Sequence, residues 1–190
     1  MDGFVTPDTT GPLDVAAALE RCPPEATTRG MFLADIVEAL QKKGLPVPAT
    51  TYHAFGTYPQ RDFITVAAAA AKALYPELGE REGLRRLGRL AYPIFADTMI
   101  GKVMFGVLGN DVGAVMRVSP GAYEAVLSHG RAELMDSGPR HARVRLSNVA
   151  TFLDSYQVGV FEGTLLACKV PGTVKVRLES PVTGEFLVEW

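Results

Sequence analysis

The sequence predicts one α+β domain over residues 1–190: a mainly helical half, 12–128, then a four-stranded antiparallel sheet of ββαββ order, 129–190, with helices on one face. Three observations predict it. Between 12 and 128, apolar residues recur at the three- and four-residue spacing of helices, punctuated by proline and glycine. After about Gly130 the period becomes two: Ala142, Val144 and Leu146 alternate with His141, Arg143 and Arg145, and Val174, Val176 and Leu178 with Lys175, Arg177 and Glu179. Between these alternating runs stands YQVGVFEGTLLACK, residues 156–169, which reads as a helix.

Residues 1–11, rich in Gly, Pro, Thr and Asp, are expected as a flexible leader. A short helix from Pro12 to Arg21 should stop at Cys22-Pro23-Pro24, because proline cannot continue it. Thr27 or Thr28 is expected to cap a second helix, RGMFLADIVEALQKK, whose Phe32, Ile36, Val37 and Leu40 share a face and which Gly44 ends. GLPVPATTYHAFGTYPQ is a Pro- and aromatic-rich connection, long enough to carry binding groups.

Pro59 then opens QRDFITVAAAAAKALY, where the run Ala67–Ala71 makes a slim helix suited to close helix packing. From Glu80 to about Leu108 one long helix or two in series are expected, with a kink or break at Pro93. Arg81, Arg85 and Arg89, beside Glu80 and Glu82, read as its solvated face. Asp111–Met116 reads as a further turn, and Ser119 as the cap of a helix beginning at Pro120. The first hairpin turns at Asp136–Pro139. The second turns at Pro181–Gly184, with Phe186, Val188 and Trp190 alternating against Glu185, Leu187 and Glu189.

Gly159 and Gly163 sit about one turn apart inside a helix, where each costs about 1 kcal/mol relative to alanine. Their pairing implies close approach by a strand, another helix, a second subunit or a ligand, and the residues alone leave all four open.

Composition narrows the function. The chain is 47% hydrophobic and 21% charged, with 19 basic and 21 acidic residues and a net charge of -2, which argues against nucleic acid or anionic lipid as partner. No membrane span is expected, the N-terminus lacks the order of a signal peptide, and two cysteines make no disulfide framework. A cytoplasmic location is expected.

The ordered segments RGMF, TYPQRDF, RRLGRLAY, FADTMIGK, SPGAYEAV, SGPRHARVRL, YQVGVFEGTL and a terminal strand ending in Trp190 resemble a paralogous family expanded in myxobacteria, from about Gly30 to Trp190. That family implies no particular activity. Over Ser119–Trp190 the hairpin, the GVFEGTL helix and the second hairpin also resemble vinyl-reductase-type domains, TRAPP-type trafficking subunits and haem nitric-oxide-binding domains. This resemblance implies an apolar cavity between helices and sheet, holding haem or another hydrophobic molecule, or an assembly role. The haem-binding relatives use a histidine before the sheet and a Tyr-x-Ser-x-Arg signature. Here LSNVATFLDSYQVGVFEG carries no such signature, and His53 in the long loop, His129 at a helix end and His141 on the solvated strand face are not placed as an axial ligand would be. Neither haem nor a metal is therefore expected, and no cofactor.

No catalytic set emerges. GxSxG, a phosphate loop and HExxH are absent. Cys168 reads as a buried helix-end residue, His141 with Asp154 or Asp136 as an unsupported acid–base pair, and Lys102 as a helix-surface residue. The expected function is a non-enzymatic, sensory or regulatory module that binds a small hydrophobic molecule. Its pocket would be lined by Tyr92, Phe95, Met99, Tyr156, Gly159, Val160 and Gly163, with the loop bearing His53 and Phe55 closing over it. The alternative is a scaffold subunit without ligand, acting as a homodimer or with a protein partner.

Overall fold

The change of period near Gly130 is a change of architecture. The computed structural model describes residues 3–190, with α1 (Val15–Arg21), α2 (Gly30–Lys42), α3 (Gln60–Leu74), α4 (Glu80–Gly88), α5 (Ala91–Ala96), α6 (Met99–Phe105) and α7 (Val112–Val126) preceding the sheet. Then come β3 (Arg131–Gly138), β4 (His141–Ser147), α8 (Tyr156–Ala167), β5 (Thr173–Ser180) and β6 (Thr183–Glu189). The four strands form one antiparallel sheet of order β3-β4-β6-β5, so the hairpins meet through β4 and β6. This is the α+β, ββαββ arrangement that the alternation implies. Among the described residues, no helix is long and apolar enough to cross a membrane.

The alternation sorts the two sheet faces. Ala142, Val144, Leu146, Val174, Val176, Phe186 and Val188 are buried beneath α8 and α7. On the other face Glu185, opposite both Arg145 and Arg177, lies 3.5 and 3.0 Å from their guanidinium groups, and Lys175 reaches Glu189 at 2.9 Å. Leu187 is buried on this outer side because its cross-strand neighbours are Arg143 and Lys175, whose stems flank it. The edge of β5 is met by Val5, which exchanges two 2.9 Å backbone hydrogen bonds with Val176. The Arg177 guanidinium lies 4.9 Å from the Phe4 ring centre, so this part of the 1–11 segment is docked on the sheet edge.

Local departures have local causes. α1 begins at Val15, since Asp14 accepts from the Ala17 N–H at 2.9 Å and caps it there. Thr27 and Thr28 do not cap α2. They belong to β1 (Thr27–Arg29), which pairs antiparallel with β2 (Thr57–Pro59), and the helix starts directly at Gly30. A Cβ at Gly30 would stand 2.2 Å from the His53 carbonyl oxygen. Pro93 breaks nothing, because it falls in the first turn of α5, where N–H groups have no intrahelical acceptor. The breaks lie instead at Arg89–Leu90 and at Asp97–Thr98, where the Thr98 hydroxyl accepts from Gly101 N–H and caps α6. α7 runs unbroken through Pro120. The Ser119 hydroxyl donates to the Met116 carbonyl at 2.9 Å, taking the place of the N–H that Pro120 lacks.

Candidate functional site

α8 carries apolar residues all round, and the fold buries it accordingly, with the sheet on one side, α4 and α5 on another and α7 on a third. Its contact with α4 is made by backbone. A Cβ at Gly159 would lie 2.0 Å from the Arg85 carbonyl oxygen, one at Gly163 would lie 2.2 Å from that of Arg89, and one at Gly88 would lie 2.1 Å from that of Tyr156. The same closeness continues outward, for Gly83 of α4 faces the Ala71 backbone of the slim α3. Arg85 and Arg89 clamp the seam, their Nε atoms each donating to Glu162 Oε2 at 2.9 Å. Burial opposes ionisation of Glu162, but those hydrogen bonds and charges outweigh it and hold its carboxyl below the usual range.

On the side facing α5 and α7, α8 leaves a cavity of about 90 Å³. Tyr92 and Phe95 of α5, Phe105 of α6, Val115 and Met116 of α7, and Val160 and Phe161 of α8 give it an apolar wall. Phe105 packs against Tyr92 and Phe95 with ring centres 5.2 and 5.8 Å apart. One edge is polar. The Tyr123 hydroxyl donates to Gln157 Oε1 at 2.5 Å, and Gln157 Nε2 donates to the Thr151 hydroxyl at 2.6 Å. Burial raises the Tyr123 phenol far above its ordinary value, with Tyr156 adding to the effect. Tyr156 is raised in the same way, first by burial and then by Asp35. Both phenols are neutral at any physiological pH.

Four of the residues expected at the pocket, Tyr92, Phe95, Tyr156 and Val160, come together around this cavity. Gly159 and Gly163 face the α4 backbone instead. Met99 is 82% exposed on α6, and Phe55 is 92% exposed at the tip of its loop. His53 lies in that loop, its backbone N–H donating to the Tyr58 hydroxyl at 2.8 Å, and it does not line the cavity. The wall from α7 was not singled out in the sequence. Val115, Met116, Ser119, Tyr123 and Val126 follow helical spacing, but only once the segment is read as one helix through Pro120. Gln157 had a signal of its own: it is the one amide side chain in a helical run whose other polar residues are Tyr156, Glu162 and Thr164.

The other candidates are held elsewhere. Cys168 is buried, and that burial raises its thiol, with Asp111 adding to the effect, which makes it a poor nucleophile. His141 Nε2 does meet Asp136, at 3.0 Å, on the hairpin surface away from the cavity. Among the described residues no three His, Cys, Asp or Glu side chains gather as a metal site.

The family model described as Protein of unknown function (DUF2378) matches residues 21–190, and the chain belongs to that family. No curated protein matches it. Solved structures share the fold at low identity. The H-NOX protein from K. algicida, in its Fe(II) unliganded state, has a TM-score of 0.61 at 9% identity, covering 85% of this chain and 95% of that one. The NMR structure of an H-NOX domain from Shewanella oneidensis, in the Fe(II)CO state, has a TM-score of 0.53 at 11% identity over 85% and 97%. A structure titled for heme distortion in the H-NOX family has a TM-score of 0.53 at 15% identity over 84% and 89%.

The residues of this chain do not fit haem. The lining contains no histidine, no cysteine and no cation to receive propionates. Its donors toward iron are the Met116 thioether and three phenols, each of which burial raises and so keeps protonated. The cavity is also well below the roughly 300–1,000 Å³ of ordinary cofactor and drug sites.

Proposed function

We propose that this member of the DUF2378 family is a non-enzymatic sensory or regulatory module that takes a small hydrophobic molecule into the cavity between α5, α7 and α8. The observation that carries this reading is the cavity itself: an apolar, aromatic-walled space with one polar edge, which lies among the helices and not, as the sequence suggested, between helices and sheet, for no residue of the four-stranded sheet lines it. The fold shared with the H-NOX structures supports it as an analogy of scaffold only, since the haem-binding parts are missing. Occupancy would be felt on three helices at once, and α8 in turn lies on the sheet and clamps α4 through Glu162. The location proposed for it is the cytoplasm.

The experiment is native mass spectrometry of the freshly purified protein, followed by denaturation. Extra mass released on denaturation identifies the ligand. A variant filling the cavity, Ala122→Leu, should be recovered folded and without that mass. A folded Ala122→Leu protein that keeps the full extra mass would move the ligand elsewhere.

A second reading, assembly through α6, has its own observation. Met99, Ile100, Val103 and Val107 are all exposed along α6 and the turn after it. They make an apolar patch of roughly 500 Å², about the apolar share of an 800 Å² surface contributed by each partner of a standard interface. The occupant it fits is a second copy of this chain, for the patch carries one charge, Lys102, and so suits neither an anionic membrane nor a charged partner. Sedimentation velocity of the wild type and of Val103→Glu decides it. A dimer abolished by the substitution supports the reading, and a monomeric wild type rules it out.

A further inference from the structure

The polar edge of the cavity carries more hydrogen-bond donors than it uses. Tyr123 has one hydroxyl proton, the Gln157 amide has two and Thr151 has one. The two hydrogen bonds within the chain consume two of these four. Turning the Gln157 amide round exchanges donor and acceptor along the chain and leaves the total unchanged. Among the described residues no further acceptor meets these side-chain protons, although Gln157 and Thr151 are each 2% exposed. Buried donors left without acceptors are costly, so two unspent protons beside a cavity specify an acceptor inside it.

The remaining wall limits what carries that acceptor. No charged side chain lines the cavity, so an ion entering it would lose hydration without a partner. At about 90 Å³ the cavity is smaller than the roughly 150 Å³ cavity that holds benzene. A water could occupy only the polar edge. A molecule that keeps the acceptor and covers the aromatic remainder displaces it with a gain.

We propose that the cavity selects an uncharged molecule of about three to five non-hydrogen atoms, smaller than benzene, apolar except for one oxygen acceptor of the ketone, aldehyde or ether class, and that the two spare donors of the Tyr123–Gln157–Thr151 chain read that oxygen. Tyr92, Phe105 and Val160 contact its apolar part. This rests on the reading of the cavity as a ligand site and adds size, charge and the polar group.

The test is an NMR titration of the full chain in sealed cells with acetone, its apolar isostere 2-methylpropene, and decanoate. The ketone is expected to shift resonances of α5, α7 and α8 and to bind about tenfold more tightly than 2-methylpropene, the worth of one hydrogen bond. Gln157→Met and Thr151→Val should each remove that preference while retaining 2-methylpropene binding. If Gln157→Met does not fold, the nearly isosteric Thr151→Val carries the comparison. Equal binding of the ketone and the alkene, or a preference unchanged in the folded variants, overturns the polar reading and leaves the cavity a ligand site. Decanoate binding with neither small molecule bound overturns the size and charge limits while the ligand site stands. Failure of all three to bind overturns both.

Discussion

Gly159 of α8 meets Arg85 of α4 backbone to backbone, with space for no side chain: a Cβ there would fall 2.0 Å from the Arg85 carbonyl oxygen. Gly163 repeats the contact one turn on, against Arg89. The cost of two helical glycines is offset by bringing two helix axes closer than any other residue allows.

Gly159→Ala and Gly163→Ala should each destabilise the protein by about 2 kcal/mol or more, because the obstruction is backbone and cannot swing aside. Gly121→Ala makes the same chemical change in α7, where the new methyl would meet only the flexible end of Met104, at 3.3 Å. It should be neutral or stabilising, gaining up to about 1 kcal/mol of helix propensity. Urea denaturation of the three variants checks the contrast in sign.

Glu162 ties the same seam to pH. Its folded-state value lies below its ordinary one, so its contribution is fully present above about pH 4.5 and is lost as pH falls through the lowered value. Glu162→Gln should cost about 1–2 kcal/mol at pH 7, a modest figure because the cluster is partly solvated. The gap to wild type should close on acidification. A difference that persists unchanged at pH 3 would contradict this account.

Ser119→Ala should cost about 1 kcal/mol by leaving the Met116 carbonyl without its donor beside Pro120. Thermal denaturation of this variant should show the loss, and Pro120→Ala, which restores an N–H for that carbonyl, should relieve it in the double variant.

How far the sequence could be read depended on how local each cause was. The alternation at Ala142–Leu146 and Val174–Leu178 expresses a two-sided sheet directly, so the ββαββ half was legible. Pro93 and Pro120 misled because proline is costly only where its missing N–H is needed. At Pro93 it is not needed, and at Pro120 Ser119 substitutes for it. β1 and β2 rest on pairing across thirty residues of chain, Thr28 with Tyr58, which no local pattern announces. The cavity was half legible. Tyr92, Phe95, Tyr156 and Val160 lie in segments with visible periodicity, whereas Tyr123, Gln157 and Thr151 converge from a helix, a second helix and a loop.

The most direct measurement is diffraction from a crystal of the untreated protein pressurised with xenon, which fills dry apolar cavities in proportion to their size. A xenon peak is expected among Tyr92, Phe105, Val115 and Val160, displaced where a copurified molecule already occupies the site. A cavity holding neither xenon nor a copurified molecule, or one closed around haem iron, would contradict it.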